Sequence, residues 1–390
     1  MVSLMLNIRA LHVSWGKMQG VFLHRRVFTQ MKKETVTTNQ ITEGVIWKQL
    51  LLFFFPIVLG TFFQQLYNTA DTIVVGRFVS KEALAAVGGS AAQIVGLIVG
   101  FFVGLASGAS VIISQFYGAK NRVQLNRALH TAYAFSIIGS IFITVLGILI
   151  APWMLELMHT PQETMADALL YLRIYFAGII FVFIYNVGSS ILRAMGDSRR
   201  PLYYLIVCCI LNIVLDIVLV IVFHMGVAGV SIATIFSQGV SAVLITRALM
   251  HSDDLYQLEF RKIRFHKSAL ISLIWVGCPT GIQSVLYSVT NMLIQTFLNN
   301  LGTDTVAAWS AFGKIDSLYW MVNNAFGIAV TTFVGQNFGA GKYDRMKKSV
   351  RIGLCMGLCT ALTLTLIFYN FGTPLFRLFT SDENVVSIGM

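Results

Sequence analysis

The stretch "PIVLGTFFQQLYNTADTIVVG", residues 56–76, decides the fold. It is apolar over a length that crosses a bilayer, yet it carries Gln64, Gln65, Asn68 and Asp71. A charge at membrane depth costs about 2.5–3.5 kcal/mol even on the translocon scale, so such a carboxylate needs a compensating partner or an occupation. On a helix, Gln64, Asn68 and Asp71 fall at steps of four and three and share one face, with Tyr67 adjacent to it. That face must look into a polar cavity or at another helix.

Working outward, the chain of 390 residues is 56% hydrophobic and 12% charged, with 32 glycines, whereas soluble domains carry roughly 25% charged residues. It reads as an all-α polytopic membrane protein. Apolar runs of about 20 to 30 residues suffice to span a hydrocarbon core, and at that length helices are the element that can do so. Nine spans are expected, near residues 50–75, 82–116, 128–151, 166–194, 201–224, 227–250, 268–298, 304–336 and 349–371.

The formal charge of +11 is a matter of loops rather than of nucleic acid. With flanks numbered alternately, one set holds 23 of the 28 Lys and Arg residues, including "KNRVQLNR" (120–127), "RAMGDSRR" (193–200), "RKIRFHK" (261–267) and "KYDRMKKSVR" (342–351). The opposite flanks hold Arg77, Lys81 and Arg377, and Arg173 and Lys314 lie within spans. By the positive-inside rule the first set, and with it the amino terminus, is cytoplasmic. Nucleic-acid binding is not expected. Cys208, Cys209, Cys278, Cys355 and Cys359 sit in apolar runs without zinc spacing and read as small packing residues. Residues 1–30 lack a signal peptide's apolar core and cleavage site. They are expected to be a cytoplasmic arm, or else to precede the true start at Met31.

The chain repeats itself. "PIVLGTFFQQLYNTADTIVVG" from Pro56 resembles "PTGIQSVLYSVTNMLIQTFLN" from Pro279, with Asn68 over Asn291 at an offset of 223. "ALAAV" (83–87) then falls on "TVAAW" (305–309), "SQFYGAKN" (114–121) on "GQNFGAGK" (335–342) at an offset of 221, and "APWMLELMHTPQE" (151–163) on "TPLFRLFTSDE" (373–383). Repeated helical halves are a common transporter plan, and an even number of intervening spans makes these parallel repeats about an axis along the membrane normal. The expected organisation is a cytoplasmic arm at 1–44, a six-helix lobe at 45–250, a cytoplasmic linker at 251–267, and a partial second lobe at 268–390 holding three helices and the start of a fourth. The second copy has no counterpart to the first copy's last three runs, so a twelve-span protein lacking roughly 80 residues is expected.

These pieces, with "RAMGDSRRP" (193–201) and "LNIVLDIVLVIVFHMGVAGVSIAT" (211–234), resemble the multidrug and toxic compound extrusion (MATE) transporters, especially their DinF-like branch, over about residues 45–390. The resemblance implies two helical bundles forming a V around a central cavity, with drug export driven by inward flow of H⁺ or Na⁺. No cofactor is expected beyond that coupling ion.

The fifth span supplies a partner for Asp71: Asn212 and Asp216, four apart, share a helix face, and Thr234 follows in the sixth. Two nearby carboxylates do not readily both ionise at low dielectric, so they can share a proton, and a dehydrated Na⁺ removes the same repulsion. Asp71, Asn212, Asp216 and Thr234 match the amino-lobe cation site of DinF-like transporters, and Gln64 and Tyr67 match residues facing its cavity. A bare interhelical hydrogen-bond role for the two acids is the competing reading. In the second copy Ile294 stands where the first has Asp71, so the coupling site is expected in the amino-terminal half alone. The eighth span offers Lys314 and Asp316, with Asp316 either attracting a cationic substrate beside Tyr319, Trp320 and Asn323 or neutralised by Lys314 or another helix. Asn68 joins these as a cavity candidate.

The expected function is secondary active efflux of organic, cationic and amphiphilic drugs or toxic metabolites from a bacterial cytoplasmic membrane, by a monomer in contact with the lipid bilayer. Flipping of lipid-linked oligosaccharides, or a non-transporting receptor or scaffold, are the alternatives. An enzyme is not expected: His130, His159, His224, His251 and His266 lie at span ends or loops and build no catalytic constellation.

Overall fold

The computed structural model describes residues 40–252, 256–299, 303–377 and 383–390. The leader and Met31 lie outside the described residues. Residues Ile41–Met390 form one compact unit, and among the described residues it is helical without a strand.

Among the described residues twelve α-helices follow in order: α1 Ile46–Phe78, α2 Lys81–Gly88, α3 Ser90–Gly118, α4 Arg122–Leu157, α5 Gln162–Ala177, α6 Ile179–Ala194, α7 Arg199–Asp216, α8 Gly226–Met250, α9 Lys267–Asn299, α10 Thr303–Gly339, α11 Tyr343–Arg377 and α12 Glu383–Gly389. Each expected span falls on this series. Seven segments among the described residues are long and apolar enough to cross a membrane, and α5 with α6, bent by 51°, makes an eighth. The ninth, α10, has 37 residues but is not among them; Asp304, Lys314 and Asp316 interrupt its apolar character.

Local chemistry explains the breaks. The bend between α5 and α6 falls at Gly178, where Ile235 of α8 lies against the glycine and leaves no room for a side chain. Thr144 of α4 donates to the Phe176 carbonyl there at 2.8 Å, satisfying a group at the bend. At "RAMGDSRRP", Gly196 turns with φ +95°. Asp197 then accepts from the main-chain N–H of Arg199 and Arg200 at 3.0 and 3.1 Å and pairs with the Arg200 side chain at 3.0 Å, so it starts α7. The linker is pinned: Glu259 N–H donates to His130 Nε2 at 3.1 Å, and His266 N–H to Thr131 Oγ1 at 3.2 Å, both on α4. These two histidines therefore have structural contacts.

Lipid tails supply no hydrophobic drive between helices, so small residues that let backbones touch decide the packing. The most extensive helix–helix contact among the described residues is α3 with α9. A Cβ on Gly104 would lie 2.6 Å from the Gly281 main chain, and one on Gly108 2.5 Å from that of Gly277. "GLASGAS" is thus a helix seam. The cysteines divide: Cys208 and Cys209 are buried, whereas Cys355 and Cys359 are exposed, so packing does not account for that second pair. Their side of α11 turns away from its neighbours.

Gly104→Val places a branched side chain into the Gly281 backbone and is expected to destabilise the fold by at least the ~1–3 kcal/mol typical of overpacking. Gly96→Ala, with nothing within 4 Å, is the control. Thermal unfolding of the two purified variants in detergent checks this, and equal midpoints would contradict the seam.

Candidate functional site

Three helices carry the polar residues into one buried cluster. Asp71 enters from α1, Asn212 and Asp216 from the last two turns of α7, and Thr234 from α8. Asn212 and Asp216 are fully buried, Thr234 is 5% exposed and Asp71 7%. The Asp71 carboxylate faces Asp216, Asn212 and Thr234. Thr234 Oγ1 donates to Asp71 Oδ2 at 3.1 Å and also lies 3.0 Å from the Val230 carbonyl of its own helix, so one hydroxyl proton serves two acceptors.

The remaining capacity of the cluster is unspent. Asp71 Oδ1, both carboxylate oxygens of Asp216 and both amide atoms of Asn212 are sealed from solvent without a hydrogen-bond partner. Leaving buried polar groups unmatched costs roughly 1–3 kcal/mol each, more for charged groups. Concentrating five such atoms around two facing carboxylates marks a place for a positive charge. Either a proton on one carboxyl or a small hard cation fits the donor set, which is all oxygen apart from the Asn212 Nδ2. The backbone shares in this: the α-helix ends at Asp216, and Ile217–Val222 continue as a π-helical turn, with Phe223 N–H donating to the Val218 carbonyl at 3.0 Å. Such turns recur at functional sites because they shift the register of the side chains around them.

The structure separates the polar residues of α1. Tyr67 and Asp71, one turn apart, are buried, whereas Gln64 is half-buried and Asn68 exposed. One helix face therefore does not carry all of them inward: the buried side lies toward Tyr67, and Asn68 points past its other edge. Tyr67 Oη accepts from Gln238 Nε2 of α8 at 3.0 Å, and Gln238 Oε1 is buried without a partner. Tyr171 and Tyr175 of α5, stacked with ring centres 6.0 Å apart, lie within electrostatic range of the acids. Sequence reasoning missed Gln238, Tyr171 and Tyr175. Their signals were present: Gln238 is one turn from Thr234, and the two tyrosines are one turn apart in "YLRIY".

The residues of α10 stand apart. Lys314 is exposed and Asp316 half-buried, and neither forms an ion pair among the described residues. Neutralisation of Asp316 by Lys314 is thus not what the structure has. Trp320 meets Tyr287 of α9 edge to face at 5.5 Å. Tyr319 and Asn323 instead line a hollow with Gly357, Thr360 and Leu364 of α11.

The family model described as MatE matches residues 56–218 and 279–390. The chain belongs to the MatE family. Among its relatives, "Probable multidrug resistance protein YoeA" of Bacillus subtilis is 28% identical over 368 residues, covering 92% of this chain and 79% of that protein. "Probable multidrug resistance protein YpnP" of the same organism is 32% identical over 350 residues, covering 89% and 78%. A solved "Outward-facing conformation of a multidrug resistance MATE family transporter of the MOP superfamily" superimposes with a TM-score of 0.82 at 24% identity, covering 90% of this chain and 78% of that one. This last likeness establishes the MatE fold, and Asp71, Asn212 and Asp216 lie within the first matched segment, whereas Thr234 lies between the two.

Tyr67→Phe and Gln238→Leu remove the two ends of one buried hydrogen bond. Their separate costs are expected to exceed the increment seen when the second is added to the first, with a coupling of about 1 kcal/mol. A double-mutant cycle on thermal or denaturant stability measures it, and strict additivity would show that the contact contributes nothing.

Proposed function

We propose that this MatE protein is a secondary antiporter that exports organic, cationic and amphiphilic compounds in exchange for H⁺ or Na⁺. The observation that carries the reading is the sealed pair of carboxylates with unspent hydrogen-bonding capacity on three packed membrane helices. The names of the multidrug resistance relatives support the transport class. The clustering of Asp71, Asn212, Asp216 and Thr234 supports assignment of the DinF-like pattern.

Asp71 and Asp216 take up the ion, Asn212 and Thr234 supply neutral oxygens, and Tyr67 and Gln64 face the substrate path. An ion drives transport only through its different affinity for the two access states. In the empty site the facing charges repel at low dielectric. Binding a proton or Na⁺ lets the helices close on it, and release on the other side restores the repulsion. Asp316 and the rings of Tyr319 and Trp320, with Asn323, offer a cationic compound charge and cation–π contacts. Acidic and neutral groups at these positions set the reading apart from flipping of a pyrophosphate-linked lipid, which calls for a basic cavity.

The protein works as a monomer in a bacterial cytoplasmic membrane, its amino terminus and basic loops on the cytoplasmic side. Residues 45–250 form one lobe and residues 268–390 belong to the second, joined by the pinned linker.

Uptake of a cationic dye into everted vesicles, the direction that corresponds to export from the cell, with pH and sodium gradients imposed separately, tests this. Asp71→Asn and Asp216→Asn are each expected to reduce gradient-driven uptake at least tenfold, while counterflow without a gradient is less affected. Full ion-driven transport by both variants would defeat the assignment.

A further inference from the structure

The two copies of the repeated motif "SQFYGAKN" and "GQNFGAGK" meet at the ends of α3 and α10. Gly335 lies on the Ser114 side chain, Gly118 on the main chain of Gln336, and Gly339 on the main chain of Gln115. At the repeat offset of 221, Ser114 corresponds to Gly335, Gln115 to Gln336 and Gly118 to Gly339. The contact is therefore reciprocal, the pattern that a pseudo-two-fold axis between Ser114 and Gly335 imposes. A Cβ on Gly118 would lie 2.7 Å from the Gln336 carbonyl carbon, and one on Gly339 2.8 Å from that of Gln115. The two glycines let the chain ends close with backbone against backbone.

The symmetry ends at the side chains. Gln336, fully buried, donates to the Ala194 carbonyl at the end of α6 at 2.7 Å. Asn337, also fully buried, donates to the Ile41 carbonyl at 3.3 Å, and Lys342 to that of Thr42 at 2.9 Å. Arg345 spends three N–H donors on the same segment, Ile41 O at 3.2 Å, Gly44 O at 2.7 Å and Glu43 O at 2.6 Å, and a fourth on Gln49 Oε1 in the first turn of α1 at 3.0 Å. The corresponding residues of the first copy are Phe116, Asn121 and Gln124, for Asn337, Lys342 and Arg345. Phe116 has no donor, and Asn121 caps α4 instead of gripping another segment, its Oδ1 accepting from Gln124 N–H at 3.2 Å.

We propose that this end of α3 and α10 is a latch: the paired glycines form its closing surface, and Arg345, Lys342 and Asn337 hold it shut by strapping residues Ile41–Gly44, immediately before α1. It lies on the flank that carries the basic loops. Opening that flank separates α10 from α3 and α6, breaks the Gln336–Ala194 bond and loads the strap. The Glu43 and Gly44 carbonyls lie at exposed positions, with those of the buried Ile41 and Thr42 beneath them, so water can reach the outer acceptors first and the latch can reopen from that edge. The use of the latch in transport rests on the antiporter reading. Its existence does not.

Nitroxides on ketone-bearing unnatural side chains at the exposed positions Arg122 and Asp344 report the separation by pulsed electron resonance. Two distance populations are expected. Arg345→Ala should lower the ratio of the short to the long one about tenfold, equivalent to ~1.4 kcal/mol, with Arg345→Lys between. Glu43→Cys with Lys342→Cys, where the native side-chain tips lie 3.8 Å apart, in a background without the five native cysteines, should abolish the long population when bridged by a disulfide-containing bismaleimide, which spans more than a direct disulfide can, and restore it when that bridge is reduced. Distances that neither change moves would overturn the latch. Distances that move without ion-driven efflux would support the latch and count against the antiporter reading, whereas efflux with unmoved distances would overturn the latch alone.

Discussion

Two carboxylates that face one another where water does not reach impose the condition that the surrounding helices satisfy. Neither Asp71 nor Asp216 can be left charged and unattended in a low-dielectric interior, since an isolated buried charge costs more than most folds can spare. Thr234 covers one oxygen of Asp71, and the other carboxylate oxygens and the Asn212 amide are left unmatched. In a purely structural hydrogen-bond network these atoms would pair among themselves. Here Asp71 faces Asp216 and Asn212 across α1, α7 and α8, and two carboxylates can bond to one another only when one of them carries a proton.

The packing that holds the cluster relies on small residues because lipid offers no hydrophobic penalty for separating helices. Gly104 and Gly108 bring α3 onto the backbone of α9. The pseudo-symmetric counterpart of that seam, between α10 and α1, is filled differently: Phe54 stacks on Phe326 at 4.0 Å and Phe53 meets Phe333 edge to face at 6.1 Å. One seam is backbone contact and the other an aromatic cluster. Two halves of common ancestry thus present unequal surfaces to each other, just as the carboxylate of Asp71 is matched by Ile294 in the second copy.

The same inequality recurs where the two motif copies meet, with shared glycines at the centre and a grip supplied from one side only. Function in a repeated fold resides in these departures from symmetry. The repeat gives the two halves a common helical plan, and the unmatched residues make particular places along it differ.

Much of this was legible in the sequence. Helices were inevitable for apolar runs of this length, and the loops that bound them carry the charges. The need to accommodate Asp71, and the shared face of Asn212 and Asp216, followed from intramembrane polarity and a four-residue spacing, because those rules are local. What could not be read locally was which side of α1 turns inward. Gln64, Asn68, Asp71 and Tyr67 lie within a narrow arc, and only the packing of α7 and α8 chose Tyr67 and Asp71 over Asn68. Gln238, Tyr171 and Tyr175 stayed hidden for the same reason, since a polar residue on a membrane helix declares a role only when a neighbour's side chain meets it. The sequence by itself determined that a carboxylate must be accommodated inside the membrane; the tertiary structure decided which groups surround it, because contacts between helices far apart in the chain are set by small-residue packing rather than by any single helix's periodicity.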